Sequence, residues 1–160
     1  MSKPVLWMLV GVPASGKSTW IENTDLEEGR GYNTTILSTD SYIEHVAQYQ
    51  GKTYNEVFHD TIKDANRMMY DDLDWALGYN NNIIWDQTNT SRKSRKEKLA
   101  KIPDHYKKIA VFFPTPDLEE LERRLASRPG KVIPKGVLQN MIDCLSQPML
   151  EEGFDEVRLA

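Results

Sequence analysis

A single cysteine in 160 residues, Cys144, leaves nothing to pair with inside the chain. That excludes an internal disulfide and any cysteine-cluster metal site, and points to a reducing or indifferent compartment. Histidine is as sparse. His45, His59 and His105 stand far apart and show no metal-ligand spacing. No apolar run approaches the ~20 residues of a membrane-spanning helix. The start Met1-Ser2-Lys3-Pro4 leads straight into a strand-like run, so no signal peptide is visible. The expectation is a cytoplasmic protein without a membrane partner, in the host cytoplasm if the source is viral. Internal repeats, low-complexity tracts and linker-length loops are also missing. A single domain over residues 1–160 with one core is expected.

Positive charge is in the minority, with a net charge of −4, which does not suggest non-specific nucleic-acid binding. The average hides an asymmetry. Arg92, Lys93, Arg95, Lys96, Lys98 and Lys101 crowd one short stretch against Glu97 alone. Acids gather at Asp71, Asp72 and Asp74, at Glu119, Glu120 and Glu122, and at Glu151 and Glu152. A local basic face on an acidic body can hold a polyanion at one place. It can equally be the solvated face of an amphipathic helix.

Apolar strand-like runs alternate with breaker-free helical stretches. The strands are expected at 5–10, 34–38, 82–85, 108–113 and 156–159. Helices are expected at 17–28, 40–49, 54–77, 91–101, 117–127 and 135–145. Such alternation implies right-handed crossovers and a parallel sheet with helices on both faces, an α/β fold. Ligands of such sheets bind beyond the carboxyl ends of the strands.

The first of those ends carries the most informative residues. Gly11, Val12, Pro13, Ala14, Ser15, Gly16, Lys17 and Ser18 fill G-x-x-x-x-G-K-[ST] without a gap, between an apolar run and a helical stretch. That context is what the P-loop requires. The glycines let the backbone approach a ligand, and successive N–H groups form an anion nest. Lys17 can reach the β- and γ-phosphates of ATP, and Ser18 can hold Mg²⁺.

Asp40 follows the second strand, within Ser38-Thr39-Asp40-Ser41-Tyr42. A carboxylate there can take a proton from an attacking hydroxyl. It can also simply cap the next helix. The third strand runs Ile83-Ile84-Trp85 into Asp86, Gln87, Thr88 and Asn89, the form of a Walker B segment. Asp86 could hold Mg²⁺ or a substrate hydroxyl. Thr88 and Asn89 could fix a substrate's orientation, or form a turn and cap the basic helix.

Arg124 and Arg128 lie four apart and share a helix face, and Pro129-Gly130 then supplies a joint. Arginines on such a segment can close over phosphates as a lid, because the planar guanidinium binds phosphate oxygens in pairs. A solvated helix end is the plainer reading. Between residues 42 and 70, Tyr42, Tyr49, Tyr54, Phe58, Met68, Met69 and Tyr70 read as core rather than as a stacking platform. Cys144, beside Met141 and Leu145, reads as a small buried apolar group.

With these residues in hand, nearly the whole chain resembles the phage-type 5′-polynucleotide kinase domain and its wider family of small P-loop kinases. The likeness rests on residues 11–20, Asp40-Ser41-Tyr42, Thr88-Asn89, Arg124-Leu125-Ala126-Ser127-Arg128, Ile133-Pro134 and Val137-Leu138. The resemblance implies a P-loop NTPase-like sheet with an arginine-bearing lid. It makes Asp40 the general base for the acceptor hydroxyl and Arg128 the lid arginine on the transferring phosphate. Two positions depart from the pattern. Ile43 stands where an arginine for the acceptor's 3′ phosphate is sought, and Gln87 stands where an acid usually precedes Thr-Asn.

The expected activity is transfer of the γ-phosphate of ATP–Mg²⁺ to a hydroxyl of DNA or RNA, first of all a 5′-OH end. Lys17, Asp40 and Arg128 are the expected catalytic residues. Residues 11–19 and Arg124 would bind the nucleotide; Asp86, Thr88, Asn89 and Arg92 would meet the acceptor. Ser18, and more weakly Asp86, would hold the metal. The alternatives are a hydroxymethylated base within DNA, a metabolite hydroxyl, or a switch that hydrolyses nucleotide.

Overall fold

The apolar runs become five parallel strands in a computed structural model that describes residues 2–160. Met1, the first residue of the expected 1–160 domain, lies outside them. The strands are β1 (Val5–Val10), β2 (Thr34–Leu37), β3 (Asn82–Trp85), β4 (Lys107–Phe112) and β5 (Glu156–Leu159). The helices are α1 (Lys17–Asn23), α2 (Thr39–Gln50), α3 (Tyr54–Gly78), α4 (Arg92–Leu99), α5 (Leu118–Ala126) and α6 (Lys135–Cys144). Among the described residues no helix is long and apolar enough to cross a membrane.

The order across the sheet is β2-β3-β1-β4-β5, with all neighbours parallel. Central β1 lies between β3, with Leu6 opposite Ile83, and β4, with Val5 opposite Lys107. The chain winds first to one side of β1 and then to the other, which opens a crevice at its carboxyl end. The P-loop lies there.

Burial explains why β1 reads as an unbroken apolar run rather than an alternating one. Leu6, Met8 and Val10 pack on one side with Ile83, Trp85, Ala110, Met69 and Leu73. Val5, Trp7 and Leu9 pack on the other with Ile84, Ile109 and Val111, against Trp20 and Ile21. Both faces are covered, as a parallel sheet demands. Each such side chain contributes about 1.5–3 kcal/mol by leaving water.

Helix α1 is shorter than the expected 17–28. It stops at Asn23, and a 3-10 turn follows at Glu27–Gly29. Cys144 is exposed rather than buried. Tyr49 is 89% exposed and Phe58 also faces solvent, so the 42–70 aromatics are not uniformly core; Met69 is.

Candidate active site

The loop from Gly11 to Ser18 owes its course to a few positions. A Cβ on Gly11 would stand 2.6 Å from Ser15 Oγ and 2.8 Å from Phe113 Cβ, so only glycine fits. Gly16 takes φ 109° as α1 begins. Ala14 is also left-handed, at φ 62°. The Gly11 N–H is fixed by the Thr88 carbonyl at 2.9 Å, which joins the start of the P-loop to the turn after β3.

Within the loop, Lys17 Nζ donates to the carbonyls of Gly11 at 2.6 Å and Val12 at 3.3 Å. Burial lowers its pKa to about 8, against the opposing pull of the Asp86 and Asp40 carboxylates. A buried ammonium resting on carbonyls is short of anionic partners. Ser15 Oγ is buried and has no hydrogen-bond partner. An orphaned hydroxyl beside an under-compensated lysine fits the phosphates of a nucleotide. Ser18 and Asp86 both line the cleft and carry the hard oxygen donors that Mg²⁺ takes. No group of three or more His, Cys, Asp or Glu among the described residues could hold a metal by itself.

The cleft has a volume of about 950 Å³. Loop residues 13–19 line it, together with Asp40, Asp86, Thr88, Arg124 and Arg128. The expected nucleotide and catalytic residues therefore converge, with Gly11 and Val12 buried at the start of the loop.

Asp40 is not the helix cap. Ser38 is, accepting the Ser41 N–H at 3.2 Å, and Asp40 sits in the first turn of α2 with its carboxylate half exposed to the cleft. Its partners come from other segments. The Tyr54 hydroxyl donates to Oδ1 at 2.6 Å, and Lys131 Nζ donates to Oδ2 at 3.1 Å. Lys131 also reaches Glu44 at 2.8 Å and lies 4.5 Å over the Tyr54 ring. Partial burial would raise the Asp40 pKa, but the Tyr54 and Lys131 contacts outweigh it and hold the carboxyl below the ordinary range. At Asp86 burial prevails, helped by the nearby Asp40 charge and opposed by Lys17, and the pKa is raised. Burial, then the Asp40 contact, pushes the Tyr54 phenol well above its ordinary value. Tyr54 therefore keeps its proton and presents it to Asp40.

The arginines divide. Glu120 holds Arg123 at 2.7 Å and Arg124 at 2.8 Å. Arg124 also donates to the Ala14 carbonyl at 3.0 Å, so it braces the P-loop itself. Arg128 lines the cleft, and no described carboxylate lies within ion-pair distance of it.

Two expected acceptor contacts are corrected. Asn89 is 2% exposed and turned into the protein. Its amide donates to the Leu9 carbonyl at 2.8 Å, and its Oδ1 accepts from Lys98. At φ 48°, a conformation asparagine tolerates, it pins the end of β1 to the turn after β3. Arg92 is not among the cleft residues; it pairs with Glu151 at 3.2 Å. Of the other cations in the cluster, Lys93, Lys96 and Lys101 are exposed and lie outside the cleft, while two are structural. Arg95 is fully buried, bound to Glu152 and to the carbonyls of Asn89, Thr90 and Ser146. Lys98 is buried, its pKa lowered to about 8 by desolvation, and donates to Gln87 and Asn89. Ser91, not Thr88 or Asn89, caps α4.

Asn55, Glu44 and Lys131 were not singled out in the sequence, and Tyr54 was read as core and not as a partner of Asp40. Only Glu44 had a local signal, being one helical turn from Asp40.

A family model for an AAA domain matches residues 6–148. Among solved structures, the chain resembles part of a Pnkp1/Rnl/Hen1 complex at 23% identity and a TM-score of 0.54. That alignment covers 78% of this chain and 40% of the other. It also resembles a candidate kinase from Chloroflexus aurantiacus at 20% identity and TM-score 0.69, covering 100% and 86%. A gluconokinase from Sinorhizobium meliloti matches at 18% identity and TM-score 0.54, covering 99% and 83%. At these identities the likeness is one of fold. The chain spans 40% of the chain in the first complex.

Proposed function

The chain belongs to the AAA domain family matched over residues 6–148, and from that premise we propose that it is an ATP-dependent kinase acting on a hydroxyl. The preferred acceptor is the 5′-OH end of DNA or RNA, and the proposed setting is cytoplasmic. One observation carries the reading. An under-compensated lysine, an unpaired arginine and a carboxylate held by donors meet in one cleft from three separate segments: Lys17, Arg128 and Asp40.

In the proposed reaction the acceptor oxygen attacks the γ-phosphorus. The bond from that phosphorus to the β,γ-bridging oxygen breaks, and ADP leaves with the electron pair. The acceptor's proton passes to Asp40. Little basicity is needed, because in a loose phosphoryl transition state that proton leaves late. A lowered Asp40 pKa therefore suits a group that mainly orients the hydroxyl. Lys17 and Arg128 offset charge on the transferring oxygens, worth orders of magnitude in rate when pre-positioned. Mg²⁺, held through Ser18 and Asp86, would neutralise phosphate charge. Thr88 remains a proposed acceptor contact, since it lines the same cleft.

A second reading is favoured by the basic helix. Arg95 and Lys98 are buried, Arg92 is paired, and the exposed Lys93 and Lys96 lie outside the cleft, so α4 presents no cation to it. An acceptor making few backbone contacts, such as a hydroxymethylated base or a small metabolite, needs none there. The deciding experiment offers γ-labelled ATP with 5′-OH oligonucleotides, duplex DNA carrying hydroxymethylated bases, nucleosides and sugars. Label on the oligonucleotide terminus supports the first reading. Label on a modified base or sugar moves the assignment, and ADP formation with no labelled acceptor supports a hydrolase.

A further inference from the structure

The segment after α5 carries Arg128, and it is not free. It lies against the first turn of α3. The Asn55 side chain closes a two-point pair with the backbone of Val132: Nδ2 donates to the carbonyl at 2.9 Å, and Oδ1 accepts the N–H at 2.6 Å. The Asn55 backbone N–H donates to the Gly130 carbonyl at 3.0 Å. Gly130 packs on Thr53 so closely that a Cβ would stand 2.6 Å from the Thr53 Cβ, and its φ is 70°. Lys131, between them, is drawn onto Asp40, Glu44 and the Tyr54 ring.

Tyr54 and Asn55 are adjacent, and each holds a different half of the reaction. Tyr54 holds the carboxylate that faces the acceptor. Asn55 holds the loop that brings the arginine to the phosphate. We infer that Asn55 is a positioning residue, a latch that seats the 128–132 loop on α3 and thereby sets Arg128 over the transferring phosphate. Asn55 does not line the cleft, so it acts through the loop and not on the substrate. Its effect on turnover rests on the kinase reading above.

An asparagine suits the task because its amide offers a donor and an acceptor side by side, matching one residue's C=O and N–H. Seating an arginine by one such pair matters because transition-state contacts lose much of their value when displaced by about 1 Å.

The test uses the full chain, with ADP release from Mg–ATP measured in the presence of the acceptor found above, or with water as acceptor. Asn55→Ala should lower kcat about tenfold or more while changing the KM for ATP little, because the P-loop is untouched. Asn55→Asp keeps the acceptor for the Val132 N–H but turns a second carboxylate oxygen on the Val132 carbonyl, so it should not restore kcat. Gly130→Ala attacks the same contact from the loop side and should behave like Asn55→Ala. If Asn55 acts through Arg128, adding Asn55→Ala to Arg128→Lys should cost almost nothing further. Full additivity in that pair, or unchanged kcat in Asn55→Ala, overturns the latch. A wild-type protein that never turns over ATP defeats the kinase reading instead. The latch is then decided by amide exchange of residues 128–132 with Mg–AMPPNP. Equal protection in wild type and Asn55→Ala throughout that loop overturns it, and lost protection supports it.

Discussion

Tyr54, on α3, gives its hydroxyl hydrogen to Oδ1 of Asp40, on α2, over 2.6 Å. The contact joins two helices that the sequence treats as independent. Lys131 takes the other oxygen, and Arg128, Lys17, Asp86 and Glu44 complete the charged surroundings. The Tyr54 contact and Lys131 hold the Asp40 carboxyl below the ordinary range despite its partial burial. Tyr54→Phe removes one of these supports, so the carboxyl stays protonated to a higher pH. The acid limb of kcat against pH should therefore move to higher pH, with the fold intact by circular dichroism. An unmoved limb would separate Asp40 from the proton transfer.

Asp40→Asn should leave nucleotide binding and thermal stability close to wild type and reduce turnover by about 10²–10⁴-fold. Stability is spared because Ser38, not Asp40, caps α2. The Asp40 ion pair with Lys131 is half exposed and worth little. Steady-state rates with a saturating acceptor, beside a melting curve, check both halves.

Lys17→Met should abolish turnover yet raise the melting temperature of the nucleotide-free protein. Burial lowers the Lys17 pKa to about 8. The folded state thus disfavours the ammonium relative to the unfolded chain. The cost is full below pH 8 and fades as pH rises toward the ordinary lysine value of 10.5. The gain in melting temperature should therefore be largest at neutral pH and shrink in alkali. The stabilisation that Mg–ATP confers on wild type should vanish in the variant. Scanning calorimetry over a pH series reads all three outcomes.

Arg128→Lys should lower turnover at least tenfold, because lysine keeps the charge but loses the guanidinium fork. Stability should change by less than about 0.5 kcal/mol, as expected for a side chain without ion-pair partners. Equal turnover in the two proteins would make Arg128 an ordinary helix-end cation.

Glu152→Gln should destabilise the fold by about 3–5 kcal/mol, since it leaves the fully buried Arg95 guanidinium uncompensated. Burial would raise the Glu152 pKa, but the Arg95 contact and the Met149 N–H prevail and hold it below the ordinary range. Its contribution is complete above the ordinary carboxylate range and is lost as pH falls through the lowered value. Wild type should accordingly lose stability on acidification more steeply than the variant. Urea titrations at neutral and acid pH measure the difference.

The strands and helices were legible because a parallel sheet covered on both faces needs unbroken apolar runs, and β1, β3 and β4 have them. The P-loop was legible because its chemistry is written in consecutive residues. Asp40 could be placed at a strand end but not told from a helix cap, since aspartate does both jobs. The cation cluster misled for a physical reason. Charge in a sequence does not show whether a guanidinium faces water or a shell of six oxygen acceptors, and Arg95 does the latter. Tyr54 and Lys131 lie 14 and 91 residues from Asp40, and only tertiary packing brings them there.

The loop carrying Arg128 is gripped chiefly by its main chain, through the Gly130 carbonyl and both polar atoms of Val132. That sets an uneven tolerance to replacement along three neighbouring positions. The Val132 side chain is 68% exposed, so nearly any residue that keeps its N–H can stand there, and proline alone is barred outright. Position 130 admits glycine only. Position 131 must stay cationic for the sake of two acids it does not neighbour in sequence. A saturation library scored for activity should therefore show a permissive site two residues after an intolerant one, in a stretch where only the glycine stands out in the sequence.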